Sequence, residues 1–426
     1  MALSGFAVIG SGVSGLTAAH LLARRGTTTL YEADSRLGGH AHTHDLPAGD
    51  GRADGPTVPV DSGFIVHNDR TYPLLTGLFR ELGVATRDTE MSMSVSCAGC
   101  GLEYAGARGL RGLLAGRPTR PYLGMLRQVP RFHRAARALL SGGDVFGGRL
   151  REDDPTVGEF LRAGAFTRYF TAHFAKPLVA AVWSCPPGTA MDYPARHLFA
   201  FLDNHGMLSV NGSPQWKTVV GGSRVYVERI AAGLPEVLRD TPVRAVVRHA
   251  DGVDVYDASG TTRSYAAAVI ATHADQALAV LPDPSADEKR VLGAFTYSRN
   301  PTVLHSDTSV LPRASAARAS WNYAMDLCAA DVDRVRVSYD MNRLQGLPTA
   351  ERYLVTLNGA VPARHVHARM VYAHPVFTRE SVAAQKELPG LSDGRLAFAG
   401  AHHGWGFHED GCRSGFAAAR ALGAIP

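Results

Sequence analysis

The hydrophobic and polar positions near the N-terminus follow the order strand, turn, helix, strand. The continuous apolar run FAVI, residues 6–9, predicts a buried strand. Residues 16–26, LTAAHLLARRG, have apolar positions at helical spacing and end on Gly26, a typical residue beyond a helix C-terminus. Residues 27–32, TTTLYE, are rich in β-branched residues and predict a second strand that ends on Glu32.

The turn between the first strand and the helix carries Gly10-x-Gly12-x-x-Gly15. Gly10 allows a tight turn, Gly12 lets the backbone approach a pyrophosphate, and Gly15 permits close packing of helix on strand. The first helical turn, which includes Ser14, offers free N–H groups and the positive end of a dipole to phosphates. Glu32 lies about 20 residues on, where a carboxylate binds ribose hydroxyls. The pattern predicts an α/β fold with a bound dinucleotide and leaves NAD and FAD both open.

Three histidines alternate in GGHAHTHD, residues 38–45. On an extended segment His40, His42 and His44 share one face, which would suit a metal ion. However, His40 and His44 would lie about 13 Å apart at about 3.3 Å per residue, whereas zinc ligands lie about 2 Å from the ion. We therefore expect no metal here, and we expect His42 and His44 to be hydrogen-bonded polar residues.

Composition narrows the class of protein. The chain has 426 residues, enough for two domains, and its 45% hydrophobic and 19% charged residues are typical of a globular protein. The net charge is +5, but the basic and acidic residues are interspersed, so no nucleic-acid partner is predicted. Five cysteines are an odd number, which argues against a disulfide framework. With no signal peptide and no apolar run of about 20 residues, we expect a cytoplasmic protein.

The glycine pair in RLGGH, residues 36–40, resembles the second cofactor loop of the FAD-dependent amine oxidase superfamily, which includes phytoene desaturases, protoporphyrinogen oxidases and flavin isomerases. Arginine usually follows the pair in that superfamily, whereas this chain has His40. The C-terminal segment GRLAFAGAHHGWGFHEDGCRSGFAAARAL, residues 394–422, resembles its closing strand and helix. The resemblance implies FAD as the cofactor, held by Gly10, Gly12, Ser14, Gly15, Glu32, Ala33, Arg36, Gly38, Gly39, His40, Phe64, Ile65, Val243, Gly400, Glu409, Asp410 and Cys412.

Further motifs make the resemblance narrower. With VPVDSGFIVHNDRTYPLLTGLFRELGV, GLEYAG, SWNYAM and HPVF, the chain is similar to bacterial FAD/NAD-binding proteins related to the oxidase-like N-terminal part of plant cyclopropane fatty acid synthases. This implies a Rossmann-like FAD-binding domain of the amine-oxidase type, residues 1–88, 210–285 and 386–426. An inserted α+β substrate domain would comprise residues 89–209 and 286–385. It also implies a fatty-acyl-like or polyketide-like apolar substrate.

Four residues are candidates for the chemistry. Amine oxidases often hold a water near flavin N5 with a lysine, and we prefer Lys217 to Lys176 for that role. His402 is the candidate acid or base, because imidazole titrates near neutral pH. Trp405 and Tyr323 are candidates for the pocket over the flavin.

Four functions stay open at this point. We expect an FAD-dependent dehydrogenase or desaturase that removes a hydride from a C–H bond. The alternatives are a flavin amine oxidase, a redox-neutral double-bond isomerase and a non-catalytic flavin-binding accessory protein. No second Gly-x-Gly-x-x-Gly follows a strand, which favours electrons from the substrate over electrons from NAD(P)H.

Two further segments have competing interpretations. Residues 107–140 mix arginines with apolar residues, as in a surface that binds membrane lipid or an acidic carrier protein, but we favour a helical cap with a solvated arginine face. Cys97-x-x-Cys100 is typical of zinc or redox sites. A zinc site needs a second pair, which the sequence lacks, so we predict a β-hairpin with Ala98-Gly99 at its turn.

Overall fold

The computed structural model describes residues 4–48, 55–143, 145–150, 154–186, 188–209, 212–328 and 336–424. Two large sheets organise these residues, one parallel and one mixed. The predicted α/β class is confirmed. The parallel sheet draws its strands only from the segments assigned to the FAD-binding domain, and the mixed sheet only from those assigned to the substrate domain.

The parallel sheet contains β1 (Phe6–Ile9), β2 (Thr28–Tyr31), β10 (Glu236–Leu238), β14 (Ala267–Ile270) and β20 (Leu396–Phe398). Their order is β10-β2-β1-β14-β20. β1, β14 and β20 are apolar throughout because the sheet is covered on both faces. Val8 packs on one face against helices α1 (Val13–Ala23), α2 (Pro73–Glu81), α9 (Arg224–Ala232) and α14 (His408–Ala421).

The other face of the parallel sheet receives Ala7 and Ile9. It is covered by an antiparallel sheet of β11 (Val243–His249), β12 (Gly252–Asp257) and β13 (Thr262–Tyr265), and by helices α10 (Ala274–Ala279), α11 (Ala286–Gly293) and α13 (Arg379–Gln385). A hairpin turn at Asp251-Gly252 joins β11 to β12, and a turn at Ser259-Gly260 joins β12 to β13.

The mixed sheet has seven strands in the order β19-β15-β18-β17-β16-β7-β8. They are β7 (Met93–Cys97), β8 (Leu102–Gly106), β15 (Thr296–His305), β16 (Trp321–Met325), β17 (Val337–Asp340), β18 (Leu354–Leu357) and β19 (Val366–Val376). β7 and β8 form the hairpin predicted around Ala98-Gly99. β16 pairs with β7 in parallel, although the two strands are far apart in sequence.

Helices cover the mixed sheet. They are α3 (Gly109–Leu113), α4 (Arg120–Leu140), α5 (Val157–Ala163), α6 (Arg168–Phe170), α7 (Lys176–Trp183), α8 (Ala195–Asn204) and α12 (Met341–Gln345). A π-helical turn, Thr171–Ala175, joins α6 to α7. The ring of Phe132 in α4 packs among five other phenylalanines, which are Phe160, Phe166, Phe170, Phe174 and Phe199. In the part of the chain described, every helix is too short or too polar to cross a bilayer.

Two small sheets lie between the large ones. β3 (Thr43–Pro47) pairs with β4 (Thr57–Asp61), and β9 (Trp216–Val219) lies between β5 (His67–Asn68) and β6 (Thr86–Thr89). The buried Asp61 carboxylate accepts hydrogen bonds from Ser223, Thr43 and Gln345. Burial raises the pKa of Asp61 to about 6, although these hydrogen bonds oppose the shift.

Candidate flavin-binding site

The first glycine loop leaves room where a phosphate would lie. Gly10 has φ +98°, and a Cβ there would lie 2.8 Å from the carbonyl oxygen of Ala271. A Cβ on Gly15 would overlap the carbonyl oxygen of Gly10, so α1 packs directly on the loop. By contrast, a Cβ on Gly12 would meet no atom within 4 Å. The three glycines therefore have the separate tasks expected from the motif, and Gly12 faces open space at the N-terminus of α1.

The end of β2 brings Glu32 to this loop. Its carboxylate accepts hydrogen bonds from the backbone N–H of Ser11 at 3.0 Å and of Asp34 at 2.9 Å. The carbonyl oxygen of Glu32 accepts from the N–H of Thr241 at 2.8 Å, which places the segment before Val243 beside it. A carboxylate has about four acceptor positions, so Glu32 can still bind a ribose hydroxyl. The next residue, Ala33, is exposed.

The second glycine loop closes on the first. The N–H of Gly38 donates to the carbonyl oxygen of Ser11 at 3.1 Å. Gly39 has φ +57°, and a Cβ there would lie 3.2 Å from the Cα of Gly12. The Arg36 guanidinium lies within 3.5 Å of the carbonyl oxygens of Leu37 and Ala41. Two backbones this close, with a cation at their edge, form a cradle that fits a dinucleotide pyrophosphate.

His40 follows the glycine pair and is surrounded by other rings. Its ring centroid lies 5.0 Å from that of Tyr372, 5.4 Å from that of His374 and 6.5 Å from that of His273. Burial holds the pKa of His40 well below its usual range, so the ring is neutral at physiological pH. Its buried Nε2 has no hydrogen-bond partner among the described residues. An unsatisfied polar atom in the cradle is consistent with a ligand that completes its hydrogen bonds.

His42 and His44 are hydrogen-bonded, as expected. His42 Nδ1 lies 3.1 Å from the Tyr372 hydroxyl, and His44 Nε2 lies 2.9 Å from the Ser62 hydroxyl. Phe64 and Ile65 follow on the same side of the cradle. The N–H of Phe64 donates to the His40 carbonyl oxygen at 2.7 Å, and the Ile65 carbonyl oxygen accepts from the Thr218 hydroxyl at 2.9 Å.

His374, which sequence reasoning missed, has a defined tautomer. The Asn358 side-chain amide donates to the Asn300 side-chain oxygen at 2.8 Å, which turns the Asn300 amide nitrogen toward His374 Nδ1 at 3.0 Å. Nδ1 therefore accepts, and the neutral ring carries its proton on Nε2. Burial lowers the pKa of His374 to about 4. The motif HPVF contains this residue, but neither its spacing nor its type distinguished it from a core histidine.

His273, also missed, stacks on Tyr297 with ring centroids 4.3 Å apart. It follows β14, and ligand sites of parallel sheets form at the carboxyl ends of the strands. That rule, applied to ATHA in residues 271–274, would have found it. His408 is a third missed histidine: its ring stacks on Phe64 at 3.7 Å, and burial lowers its pKa to about 3.

The two carboxylates of the closing motif accept hydrogen bonds from backbone N–H groups at helix N-termini. Asp410 accepts from the N–H groups of Trp405 at 3.0 Å and Phe407 at 3.1 Å, and so caps α14. Glu409 accepts from the N–H groups of Leu74 at 3.1 Å and Leu75 at 3.0 Å, and so caps α2. Both side chains therefore fix helix N-termini, and their contact with the cofactor stays a prediction.

Other closing-motif residues hold α14 against the FAD-binding sheet. Gly400 donates its N–H to the Ser414 hydroxyl at 2.9 Å. The Ser14 side chain lies in the α1–α14 interface, where a Cβ on Gly411 would be 2.9 Å from its oxygen, while its N–H belongs to the first turn of α1. The prediction that Cys412 contacts the cofactor is wrong, because its side chain is fully buried in the protein. Its sulfur is buried 3.6 Å from the Thr17 hydroxyl, and burial raises the pKa of the thiol to about 12.

The structure also contradicts the predicted role of Lys217 in holding a water near the flavin. Side chains alternate along β9: Trp216 and Thr218 are buried, and Lys217 projects from the opposite face. Its ammonium group pairs with Asp88 at 3.0 Å and Asp69 at 3.7 Å, and both carboxylates are exposed. An ion pair at the surface cannot hold a water at a buried flavin.

The other three catalytic candidates are buried or half-buried. The His402 ring lies against Gly400 and 5.1 Å from Phe295, its Nε2 has no partner among the described residues, and burial holds its pKa well below the usual range. Trp405 donates its indole N–H to the His197 carbonyl oxygen at 3.2 Å and accepts from Trp183 Nε1 at 2.9 Å. Tyr323 is buried in β16, and burial raises its pKa. Their catalytic roles stay predictions.

The fold and the cradle define a dinucleotide-binding protein. A family model described as flavin containing amine oxidoreductase matches residues 13–304, and the chain belongs to this family. It is an FAD-dependent oxidoreductase. No curated protein matches the chain in sequence.

Solved structures share the fold over nearly the whole chain. A conjugated-linoleic-acid (CLA)-producing fatty acid isomerase from P. acnes has a TM-score of 0.68 and 16% identity, with 98% of each chain covered. Cyclohexylamine oxidase from Brevibacterium oxydans IH-35A has a TM-score of 0.67 and 16% identity, with 99% of each chain covered. Putrescine oxidase bound to putrescine has a TM-score of 0.66 and 14% identity, again with 99% of each chain covered. At these identities the similarity shows the fold alone.

Proposed function

We propose that this oxidoreductase removes a hydride from a C–H bond of a long apolar substrate, fatty-acyl-like or polyketide-like. The observation that carries this proposal is that the buried carboxylates already have protein hydrogen-bond partners. Among the described residues five carboxylates are buried, and protein donors already hydrogen-bond each one: Asp61, Glu288, Asp340, Glu409 and Asp410. A substrate ammonium group would need a carboxylate whose charge is not already compensated. Arginine side chains pair with four of the five, and Asp61 accepts from three protein side chains. This favours an uncharged substrate over an alkylamine.

An aromatic wall beside the closing motif supports the same substrate class. The Phe201 and Phe407 rings stack at 4.7 Å, and Trp405 lies 5.8 Å from Phe201. Trp183 packs on the same ring at 4.9 Å. Such a surface binds apolar chains and excludes water from the reacting bond.

The residues of the cradle fit FAD, which supplies a hydride acceptor when bound. The two glycine loops would hold its pyrophosphate, and Glu32 its ribose. His374 presents an N–H donor at Nε2, suited to a carbonyl oxygen or a developing negative charge. The partnerless Nε2 of the neutral His40 can accept a hydrogen bond when Nδ1 carries the ring proton.

A double-bond isomerase is the second candidate. The single Gly-x-Gly-x-x-Gly motif fits a reaction in which electrons return to the substrate, and the fold is shared with a fatty acid isomerase. The resemblance to the oxidase-like part of cyclopropane fatty acid synthases also belongs to this proposal, since it points to fatty-acyl chains.

The first experiment is the anaerobic visible spectrum of the purified flavoprotein, recorded before and after addition of fatty acyl chains and, separately, of alkylamines and polyamines. Bleaching by an acyl chain is the expected result. Bleaching by amines alone would overturn the proposal and establish an amine oxidase. An oxidised flavin together with a double bond that has moved, detected by mass spectrometry, would establish the isomerase. A flavin that responds to neither class would support an accessory protein without turnover.

A further inference from the structure

A cluster of sulfur and nitrogen ligands lies in the mixed sheet, outside the flavin cradle. Cys97 and Cys100 are on the β7–β8 hairpin, Cys328 follows β16, and His173 is in the π-helical turn before α7. The three sulfurs and a histidine nitrogen lie within 4.8 Å of one another. The expectation that Cys97-x-x-Cys100 lacks further ligands is therefore wrong, because the fold supplies them from two distant segments.

The separations match a tetrahedral ion. With zinc–sulfur bonds of about 2.3 Å and zinc–nitrogen bonds of about 2.0 Å, tetrahedral ligands would lie about 3.8 Å apart for two sulfurs and about 3.5 Å for sulfur and nitrogen. The sulfurs of Cys97 and Cys328 are 3.7 Å apart, and Cys100 Sγ lies 3.6 Å from His173 Nε2. The sulfur pair is too distant for a disulfide, whose bond is about 2.05 Å long.

The histidine is oriented for metal binding. His173 Nδ1 lies 3.1 Å from the Tyr169 carbonyl oxygen, to which it donates its proton, so the lone pair of Nε2 points toward Cys100. The Tyr169 ring stacks on the imidazole at 4.0 Å, and the Tyr104 hydroxyl holds the His173 carbonyl oxygen at 2.8 Å. A hydrogen bond from the second ring nitrogen to a carbonyl is the usual support of a metal-bound histidine. Single π-turns are frequent at functional sites.

The three segments are also fixed relative to one another. The Ala98 N–H donates to the Met325 carbonyl oxygen at 2.8 Å, which ties the hairpin turn to the end of β16. A Cβ on Gly99 would lie 3.1 Å from the Cα of Leu327, so the turn packs closely on the segment that leads to Cys328. Cys100 is exposed, which gives an ion access from solvent.

We propose that Cys97, Cys100, Cys328 and His173 bind one structural Zn²⁺. Three thiolates and an imidazole are a zinc ligand set, and four protein ligands leave no open position for catalysis. The ion joins the hairpin, β16 and the start of α7. α7 carries Trp183, whose indole N–H reaches the Trp405 carbonyl oxygen, so the zinc stabilises the helix that supports the aromatic wall.

The test is metal analysis of the full-length flavoprotein, purified without chelator from medium that contains zinc. Inductively coupled plasma mass spectrometry is expected to give about one zinc per chain, and less than about 0.2 in Cys100→Ser and His173→Gln. Cys185→Ala is the matched control, since Cys185 is buried outside the cluster, and it is expected to keep the metal. Protein grown with Co²⁺ should show the visible bands and thiolate charge-transfer absorption of a tetrahedral site.

Three results would overturn the proposal. They are the absence of zinc from the wild type, zinc that persists in both variants, and iron or copper in place of zinc. If the variants do not fold, the wild type still decides. A mercurial thiol reagent should release the zinc in proportion to the thiols it blocks, as read by a zinc-binding dye. A disulfide between Cys97 and Cys328, found by mass spectrometry of the native protein, would also exclude the site.

Discussion

A side chain added at Gly12 would meet no protein atom and would compete only with the cofactor. Its φ of −64° is accessible to any residue, and a Cβ meets no atom within 4 Å. We expect Gly12→Leu to fold and to lose at least about 90% of its FAD, because leucine would fill the phosphate position. The flavin-to-protein absorbance ratio measures this. Gly77→Leu, on α2 with equally open space, is the control and should stay yellow. A fully loaded Gly12→Leu would contradict the cradle.

For the chemistry, the structure favours His374, whereas the sequence favoured Lys217. Substitutions at these two positions compare the two assignments. His374→Phe should keep FAD but lower the rate of anaerobic flavin reduction by about 10²-fold, because it removes a fixed N–H donor. Lys217→Met should retain the wild-type rate, since its ammonium is paired at the surface. The rates are measured by stopped flow with the substrate that bleaches the flavin. Equal rates for His374→Phe and the wild type would refute the role of His374.

The residues whose geometry agrees with the sequence motif are those whose task is local. Gly10, Gly12 and Gly15 serve a turn and a helix N-terminus, and both are encoded within a few positions. The prediction for Lys217 failed because the face from which its side chain projects depends on the register of β9 with its neighbouring strands. The capping role of Glu409 could not be predicted because its partners, the N–H groups at the start of α2, are remote in sequence.

At the scale of elements, Glu409 links α14 to α2. Its two carboxylate oxygens accept the N–H groups of Leu74 and Leu75, and it is buried. Glu409→Ala leaves both donors unsatisfied and should lower the free energy of unfolding by about 1–3 kcal/mol. Denaturant unfolding at saturating FAD measures the loss. The control Glu380→Ala, an exposed carboxylate in the first turn of α13, should lie within about 0.5 kcal/mol of the wild type. Equal stability of both variants would contradict the cap.

The segment 107–140 keeps both of its interpretations at this scale. α4 buries Tyr122, Met125 and Phe132 in the core, as a helical cap does. Leu110 and Leu114 nevertheless stay 74% and 52% exposed beside arginines. If this surface binds acidic lipid, the protein should cosediment with vesicles that contain phosphatidylserine, and Leu110→Ser with Leu114→Ser should reduce binding several-fold. Protein that stays in the supernatant would support the cap interpretation.

For the whole molecule, the sequence indicated the parallel sheet and its cofactor because each local signal agrees with the others. It did not indicate the cluster of Cys97, Cys100, Cys328 and His173. Only the parallel pairing of β16 with β7 brings Cys328 to the hairpin, and no local pattern encodes that pairing. Sequence spacing identifies two ligands of a site well, but not ligands that arrive from other strands and helices.

The whole molecule should lose stability in mild acid because many buried histidines are neutral in the folded state. Burial lowers the pKa to about 3 or 4 at His67, His133, His197, His374, His403 and His408. Their pKa in the unfolded chain is near 6.5, so the unfolded state binds more protons between about pH 6.5 and 4. The free energy of unfolding therefore falls as the pH falls through that window. Four buried carboxyl groups work in the opposite direction because burial raises their pKa values: Asp61, whose pKa is raised to about 6, and Asp340, Glu409 and Asp410.

Thermal unfolding at fixed excess FAD, from pH 7.5 to 4.5, measures this dependence, since excess ligand holds the binding contribution constant. We expect the melting temperature to be highest near pH 7 and to decrease continuously below pH 6.5. His133→Leu removes one titrating group from α4, away from the cradle, and should make the decrease less steep. The pH-dependent part of its effect is confined to the acidic side, because the neutral histidine and leucine are both uncharged above pH 6.5. A melting temperature that is constant from pH 7 to 5 would show that these histidines are not buried in the neutral form.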